Sequence, residues 1–248
     1  RKVDELLGSP SFAAHWGRRL STRLIGPPGE YRIGLAGLKP EAERAIEGRF
    51  VEWMTAQIAA DRPWTGIVRA MIEARGESGK LPELAYKLGT AGRDWPTRDF
   101  ALDVSRHFVG VRLYCATCHD HPFAQWRTED LWRLAAFAAR DRVRVLDGGA
   151  GVELIVRDEG EQEIPRSPDA NDKDAKVKLA QGGTAEPVFL FGGKAGPGDD
   201  RARILGALLT SKGNTQLPRS FVNQAWAWLF GRGIVHPADD FNQMNKAV

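Results

Sequence analysis

The sequence predicts a mainly α protein with a small β-hairpin or sheet insert and a C-terminal helical segment. Three observations predict it. Apolar residues recur at helical spacing through most of the chain, as in Ile46, Phe50, Trp53, Met54 and Ile58 opposite Glu41, Glu43, Glu47 and Glu52. The period shortens to two at one place, where Val143 and Val145, then Val152, Leu154 and Val156, flank the turn signal Asp147-Gly148-Gly149. The composition, 42% hydrophobic and 27% charged over 248 residues, suits a soluble globular chain with a sizeable core.

Taken in order, Leu6, Leu7, Phe12, Trp16, Leu20 and Leu24 predict a helix over Lys2–Leu24, interrupted at Ser9-Pro10-Ser11. The Gly- and Pro-rich stretch 25–40 reads as a loop. A helix from Pro40 ends at Asp61-Arg62-Pro63. Another, carrying Trp64, Ile67, Val68, Met71 and Ile72, stops at Gly76. Residues 77–94 read as a loop. Thr97 is the expected N-cap of a helix through Phe100, Val104, Phe108 and Val111, and that helix is expected to run directly into residue 115. Thr128 is expected to cap the next helix, through Leu131, Trp132, Leu134 and Phe137. After the hairpin, Glu159–Lys178 is polar and reads as a loop, and Val188–Phe191 reads as a short strand. Two final stripes follow: Ile204, Leu205, Leu208 and Leu209, then Phe221, Val222, Ala225, Trp226 and Leu229.

The chemistry concentrates in Tyr114-Cys115-Ala116-Thr117-Cys118-His119-Asp120-His121-Pro122-Phe123. It holds both cysteines and two of the five histidines. Cys-x-x-Cys-His is the attachment signature of a c-type haem. Two thiols add across the vinyl groups, and the following imidazole takes an axial position on iron. On this reading one covalent haem c is held by Cys115, Cys118 and His119, with His119 as the proximal iron ligand. His121 is poorly placed as the distal ligand, because two residues along a helix project to opposite sides. The distal candidates are His107, His15, His236, Met54 and Met71. The alternative cofactor is a divalent ion such as zinc on Cys115, Cys118, His121 and His119. Against it, four ligands within seven residues are cramped, and a second Cys-x-x-Cys pair is missing. Otherwise His121 supports the site from outside the ligand set.

A net charge of +3 and a pI near 9.0, without a dense Lys/Arg run, do not point to nucleic acid. No apolar run has the length of a membrane span. Two cysteines three residues apart do not build a disulfide framework. No Lys-Ser/Thr ending follows the glycines between Gly192 and Gly198, so that stretch is not a phosphate loop. Paired carboxylates in a convincing context and a readable Ser-His-Asp arrangement are lacking, so the chain by itself reads as a binding protein more than an enzyme.

Several phrases together carry a resemblance. Phe50-Val51-Glu52-Trp53, Asp61-Arg62-Pro63-Trp64, Phe108-Val109-Gly110-Val111-Arg112-Leu113 leading into the motif, and Leu134-Ala135-Ala136-Phe137 resemble a cytochrome-associated family of unknown function abundant in planctomycetes. Phe221-Val222-Asn223-Gln224-Ala225-Trp226, Leu229-Phe230-Gly231-Arg232-Gly233 and Asp239-Asp240-Phe241 resemble the start of its companion domain. The organisation expected is then a haem-c-like helical domain over 1–145, a β-rich polar insert over 146–198, and the start of the companion domain, cut short, over 199–248. The resemblance implies a large exported (periplasmic) bacterial protein whose partners are its other domains or a redox protein. It also implies association with polysaccharide, for which tryptophans such as Trp126, Trp132, Trp226 and Trp228, where exposed, would be the sugar-stacking surface. Trp53, Trp64 and Trp226 fall on apolar helical faces, so the core is the stronger expectation for them. A scaffold role without redox chemistry stays open on the same residues. Ala124-Gln125 departs from the Asp usual in the family after this motif.

Overall fold

A computed structural model describes residues 1–156, 185–245 and 247; the polar stretch Glu159–Lys178 lies outside the described residues. The chain is mainly α with a small antiparallel sheet, and it divides into two compact units. The first comprises Arg1–Asp94 with Asp141–Arg157, the second Trp95–Arg140 with Asp158–Val248.

In the first unit, α1 (Lys2–Leu7) and α2 (Pro10–Ile25) are separated where expected. Ser9 caps α2 by accepting from the Phe12 amide at 3.2 Å, and Pro10 occupies the first helical position, where its missing N–H costs nothing. Pro40 likewise opens α3 (Pro40–Ala59), whose buried face is Ala42, Ile46, Phe50 and Met54. The two helices approach closely at Gly17. A Cβ there would lie 2.3 Å from Thr55 Oγ1 and 2.7 Å from Thr55 Cα. Backbone cannot swing away as a side-chain tip can. Gly17→Ala is therefore expected to destabilise the chain by about 2 kcal/mol despite alanine's better helix propensity. Gly48→Ala, in α3 with nothing within 4 Å of the new Cβ, is expected to stabilise by about 0.5–1 kcal/mol. Denaturant titration of both variants checks the pair.

The helix α4 (Trp64–Glu73) ends three residues before Gly76, which instead starts β1 (Gly76–Glu77) at φ +120°. The expected loop 77–94 contains a 3-10 turn, Pro82–Leu84, and a short helix α5 (Ala85–Leu88). Leu84, Ala85, Tyr86 and Leu88 are all buried there. Four residues are too few to display a helical period in sequence, so burial by tertiary packing decides this segment. Lys87, in α5, is buried and pairs with Asp141 at 2.6 Å. The hairpin forms as read: β2 (Asp141–Val145) pairs with β3 (Val152–Val156) in the register Val143↔Leu154. A third strand joins it, because β1 pairs with β3 through Gly76↔Leu154, giving the order β1-β3-β2.

In the second unit, α6 (Pro96–Val104) takes Trp95 as its N-cap. The expected cap, Thr97, lies inside the first turn, since Pro96 already has the fixed φ of a first helical residue. Nor does this helix run into the motif. It loosens into a π turn over Ser105–Val109 and is stopped by Gly110 in the left-handed conformation (φ 73°, ψ 32°). The next helix, α7 (Thr128–Ala135), is likewise capped one residue early, at Arg127, whose amide donates to Asp130 Oδ2 at 2.8 Å. Val188 makes a single antiparallel bridge to Lys194 in place of the expected strand.

The last two helices are α8 (Arg201–Leu209) and α9 (Gln216–Phe230). The stripe expected to face inward on α9 turns largely outward: Val222 is 55%, Trp226 43% and Leu229 66% exposed, while Phe221 and Ala225 are half-buried. Leu217, Ser220 and Asn223 are buried instead. Asn223 explains the rotation, because its amide closes on the following segment. It donates to the Val235 and Ala238 carbonyls at 2.8 and 3.0 Å and accepts from the Val235 amide at 2.9 Å. A polar side chain that satisfies three backbone groups outweighs the apolar pattern. Of the tryptophans expected as a sugar-stacking surface, Trp126 and Trp132 are buried, while Trp226 is exposed and packs on Phe230 at 4.4 Å. Among the described residues no helix is long and apolar enough to cross a membrane.

Candidate functional site

Cys115 and Cys118 lie at the surface on and just after a 3-10 turn, Tyr114–Thr117, and both are exposed free thiols. The turn is closed by the Ala116 amide donating to the Leu113 carbonyl at 2.9 Å. Its inner side is Leu113, Ala116 and Thr117, all buried, so the alternation of burial turns the two sulfurs outward. The Thr117 hydroxyl, between the cysteines, is buried and has no hydrogen-bond partner among the described residues. Tyr114, which opens the turn, and Phe123, further along the motif, both have exposed rings.

The two motif histidines are held in opposite ways. His119 Nδ1 is 2.8 Å from the Asp120 carbonyl oxygen. A carbonyl only accepts, so Nδ1 carries a proton, and in the neutral ring Nε2 is then the atom with the lone pair. His121 Nδ1 instead accepts from the Phe123 amide at 3.2 Å, which leaves the proton of its neutral ring on Nε2. Each ring thus presents a different face to a cofactor: a donor atom for metal on His119, an N–H on His121. Asp120 ties this loop to α7, because its Oδ1 accepts from the Thr128 amide at 2.9 Å. That is a carboxylate on a free helix N-terminal amide. The His121 amide donates to the Trp126 carbonyl at 2.8 Å and closes the loop from the other side.

The entry to the turn is braced by residues that sequence reading missed. Arg106 Nε donates to Asp239 Oδ2 at 2.6 Å, and Arg112 donates to Asp239 Oδ1 at 3.1 Å through Nε and 2.6 Å through Nη2. Beside them the Phe241 amide donates to the Gly110 carbonyl at 2.7 Å. Burial pushes the Asp239 carboxyl up, but the hydrogen bonds and charges of Arg106 and Arg112 outweigh it and hold the group below the ordinary 3.8. A carboxyl with a depressed value stabilises the fold above its unfolded value and loses that contribution as pH falls through its folded one. Acid unfolding below about pH 4 is therefore expected to have a component that Asp239→Asn removes, at a cost of roughly 2 kcal/mol at neutral pH. Melting temperatures of both proteins between neutral pH and pH 2 check this, and parallel curves would refute it. Asp239 is marked in the sequence only as part of the companion-domain phrase, and nothing there pairs it with arginines 127 and 133 positions away. Asp120 could have been found, as an acidic residue shortly before a helix start.

Among the other candidates, His107 is buried on the π turn and His236 is exposed, both in the same compact unit as the motif. His15 is exposed on α2, and Met54 and Met71 are fully buried core side chains, all three in the first unit. Among the described residues, no group of three or more His, Cys, Asp or Glu side chains is placed to hold a metal ion.

Residues 1–142 match the family model PSCyt2, described as a protein of unknown function (DUF1549), and the chain belongs to that family. Residues 201–248 match a second model, PSD1, also described as a protein of unknown function (DUF1553), which puts the chain in a multidomain context. No curated protein and no solved structure matches it.

Proposed function

We propose that this member of the PSCyt2 family carries one covalent haem c on Cys115 and Cys118 and serves electron transfer within a larger exported protein. His119 would be the proximal iron ligand. The observation that carries the reading is the pair of histidine tautomers. His119 offers Nε2 as a donor while the Asp120 carbonyl fixes its ring at 2.8 Å, the usual arrangement behind a metal-bound imidazole. The donor set fits in other respects. Both thiols are free and exposed on one turn, and attachment needs them reduced. Each thiol would add across one vinyl group, sulfur to one carbon and hydrogen to the other, so attachment would consume no oxidant. Tyr114 and Phe123, at the two ends of the motif, are exposed aromatic side chains.

When bound, haem iron supplies one-electron transfer at a potential set by its axial ligands, burial and hydrogen bonding. The chain's part is to fix the anchors and the His119 ring, and to offer a sixth ligand. His107 and His236 share the motif's unit and are the residues to test for that position. A zinc site needs four donors around one point. The described residues bring no third side chain into such a group, and the Phe123 amide occupies His121 Nδ1 and leaves the proton on Nε2, so zinc has less support.

The test is the protein expressed in a host able to mature c-type cytochromes, measured by visible spectrum and denatured mass. A Soret band and a mass gain of one haem are expected, with a reversible response on an electrode. A colourless protein with stoichiometric zinc that is lost in Cys115→Ala would replace haem by the metal ion. A colourless, metal-free, folded protein would overturn both.

A further inference from the structure

We propose that Asp239 and Phe241 are positioning residues for the Cys115–Cys118–His119 turn, so that the segment matching PSD1 completes the site of the segment matching PSCyt2. As a statement about cofactor chemistry this rests on the haem reading above; as a statement about the turn it does not.

The lead-in to the turn is four residues, Gly110 to Leu113, and each is held separately. The Gly110 carbonyl accepts from the Phe241 amide at 2.7 Å, and the Val111 amide donates to the Ser105 carbonyl at 3.0 Å. Arg112 is bound by Asp239 through two of its nitrogens. Leu113 is buried, and its carbonyl receives the Ala116 amide that closes the turn. Two of these four restraints come from the last ten residues of the chain. Arg112 is three residues from Cys115, within about 10 Å along even a fully extended backbone. A shift of the lead-in therefore reaches the sulfurs without passing through flexible chain.

The charges are arranged for holding rather than for display. Arg106 and Arg112 are about half exposed, with side chains 54% and 47% accessible, whereas the Asp239 side chain is 8% accessible. A surface pair would contribute little. Here one buried carboxylate receives three charge-assisted bonds from two elements, the π turn and the lead-in, and fixes their spacing. Phe241 adds contact on the same side. Its ring lies where a Gly110 Cβ would be, and the Arg219 guanidinium sits 5.6 Å from the ring centroid. Arg219 belongs to α9, so the clasp also locks the start of that helix.

Amide hydrogen exchange on the full haem-free chain tests the idea at a temperature where every variant is folded by circular dichroism. In Asp239→Asn, exchange at the Ala116, Cys118 and His119 amides is expected to rise about tenfold or more. Arg112→Gln removes only the lead-in half of the clasp and is expected to give the same local rise with a smaller loss of melting temperature; it serves if Asp239→Asn does not fold. Gly17→Ala, a destabilising change in the other unit, controls for general loosening and is expected to leave those three amides at their wild-type rates. Protected amides in Asp239→Asn and Arg112→Gln, or an equal rise in Gly17→Ala, would overturn the proposal. In haem-matured protein the same two clasp variants are expected to show lower covalent occupancy or a shifted midpoint potential. A colourless wild type would sink the haem reading and leave the exchange result to decide the positioning.

Discussion

Replacing Cys115 and Cys118 together by alanine is expected to abolish covalent haem while changing stability by less than about 1 kcal/mol. The two effects separate because the turn is not built by its sulfurs. Both thiols are exposed, and the packing beneath them belongs to Leu113, Ala116 and Thr117. The backbone bonds of the turn run from the Ala116 amide to the Leu113 carbonyl and from the Cys118 and His119 amides to the Cys115 carbonyl, and an alanine keeps all of them. Each single replacement leaves one thioether, so haem mass is expected to survive denaturation in Cys115→Ala and in Cys118→Ala but not in the double variant. His119→Gln keeps both anchors and is expected to keep the mass while altering the spectrum. Spectra and denatured masses of the four variants, with their melting curves, form the measurement. A double variant that melts several degrees lower, from a wild type that was never coloured, would make the cysteines structural.

Much of this arrangement was legible before any coordinates, and the parts that were not share a cause. The face of Ile46, Phe50 and Met54 on α3 and the period-two hairpin are repeated patterns, and repetition is what a single sequence displays. The motif itself is a local pattern of the same kind. The cap positions at Trp95 and Arg127 were missed by two residues and by one, because the competing cap residues, Thr97 and Thr128, fit equally well in a first turn. On α9 the visible stripe pointed the wrong way. Its orientation is set by Asn223 closing on Val235 and Ala238, a contact between a polar residue and backbone that hydrophobic periodicity does not register. The histidine tautomers depend on which backbone atoms lie within 2.8 and 3.2 Å, and no residue spacing encodes that. Asp239 is the extreme case. Two arginines on successive elements, the π turn and the lead-in, and a distant aspartate give no local sign that they will meet.

Gly110→Ala is expected to destabilise the chain by about 3 kcal/mol, the largest loss from adding one carbon near the site. Two costs combine. The residue sits at φ 73°, where an alanine costs about 1–2 kcal/mol in backbone energy. The new Cβ would also lie 2.5 and 2.7 Å from two atoms of the Phe241 ring and 3.1 Å from the Ser220 hydroxyl. Ser220 is fully buried on α9 and cannot retreat into solvent. Gly231→Ala isolates the first cost, since Gly231 has φ 80° and nothing within 4 Å of its added Cβ. The difference between the two variants in denaturant titrations is then the clash alone, about 1–3 kcal/mol. Phe241→Ala supplies the cross-check. If the clash is real, Gly110→Ala costs less in the Phe241→Ala background than in wild type, and the coupling has the sign of relief. Equal losses in Gly110→Ala and Gly231→Ala would mean that Phe241 yields freely, and a ring that yields freely could not hold the entry to the Cys115 turn.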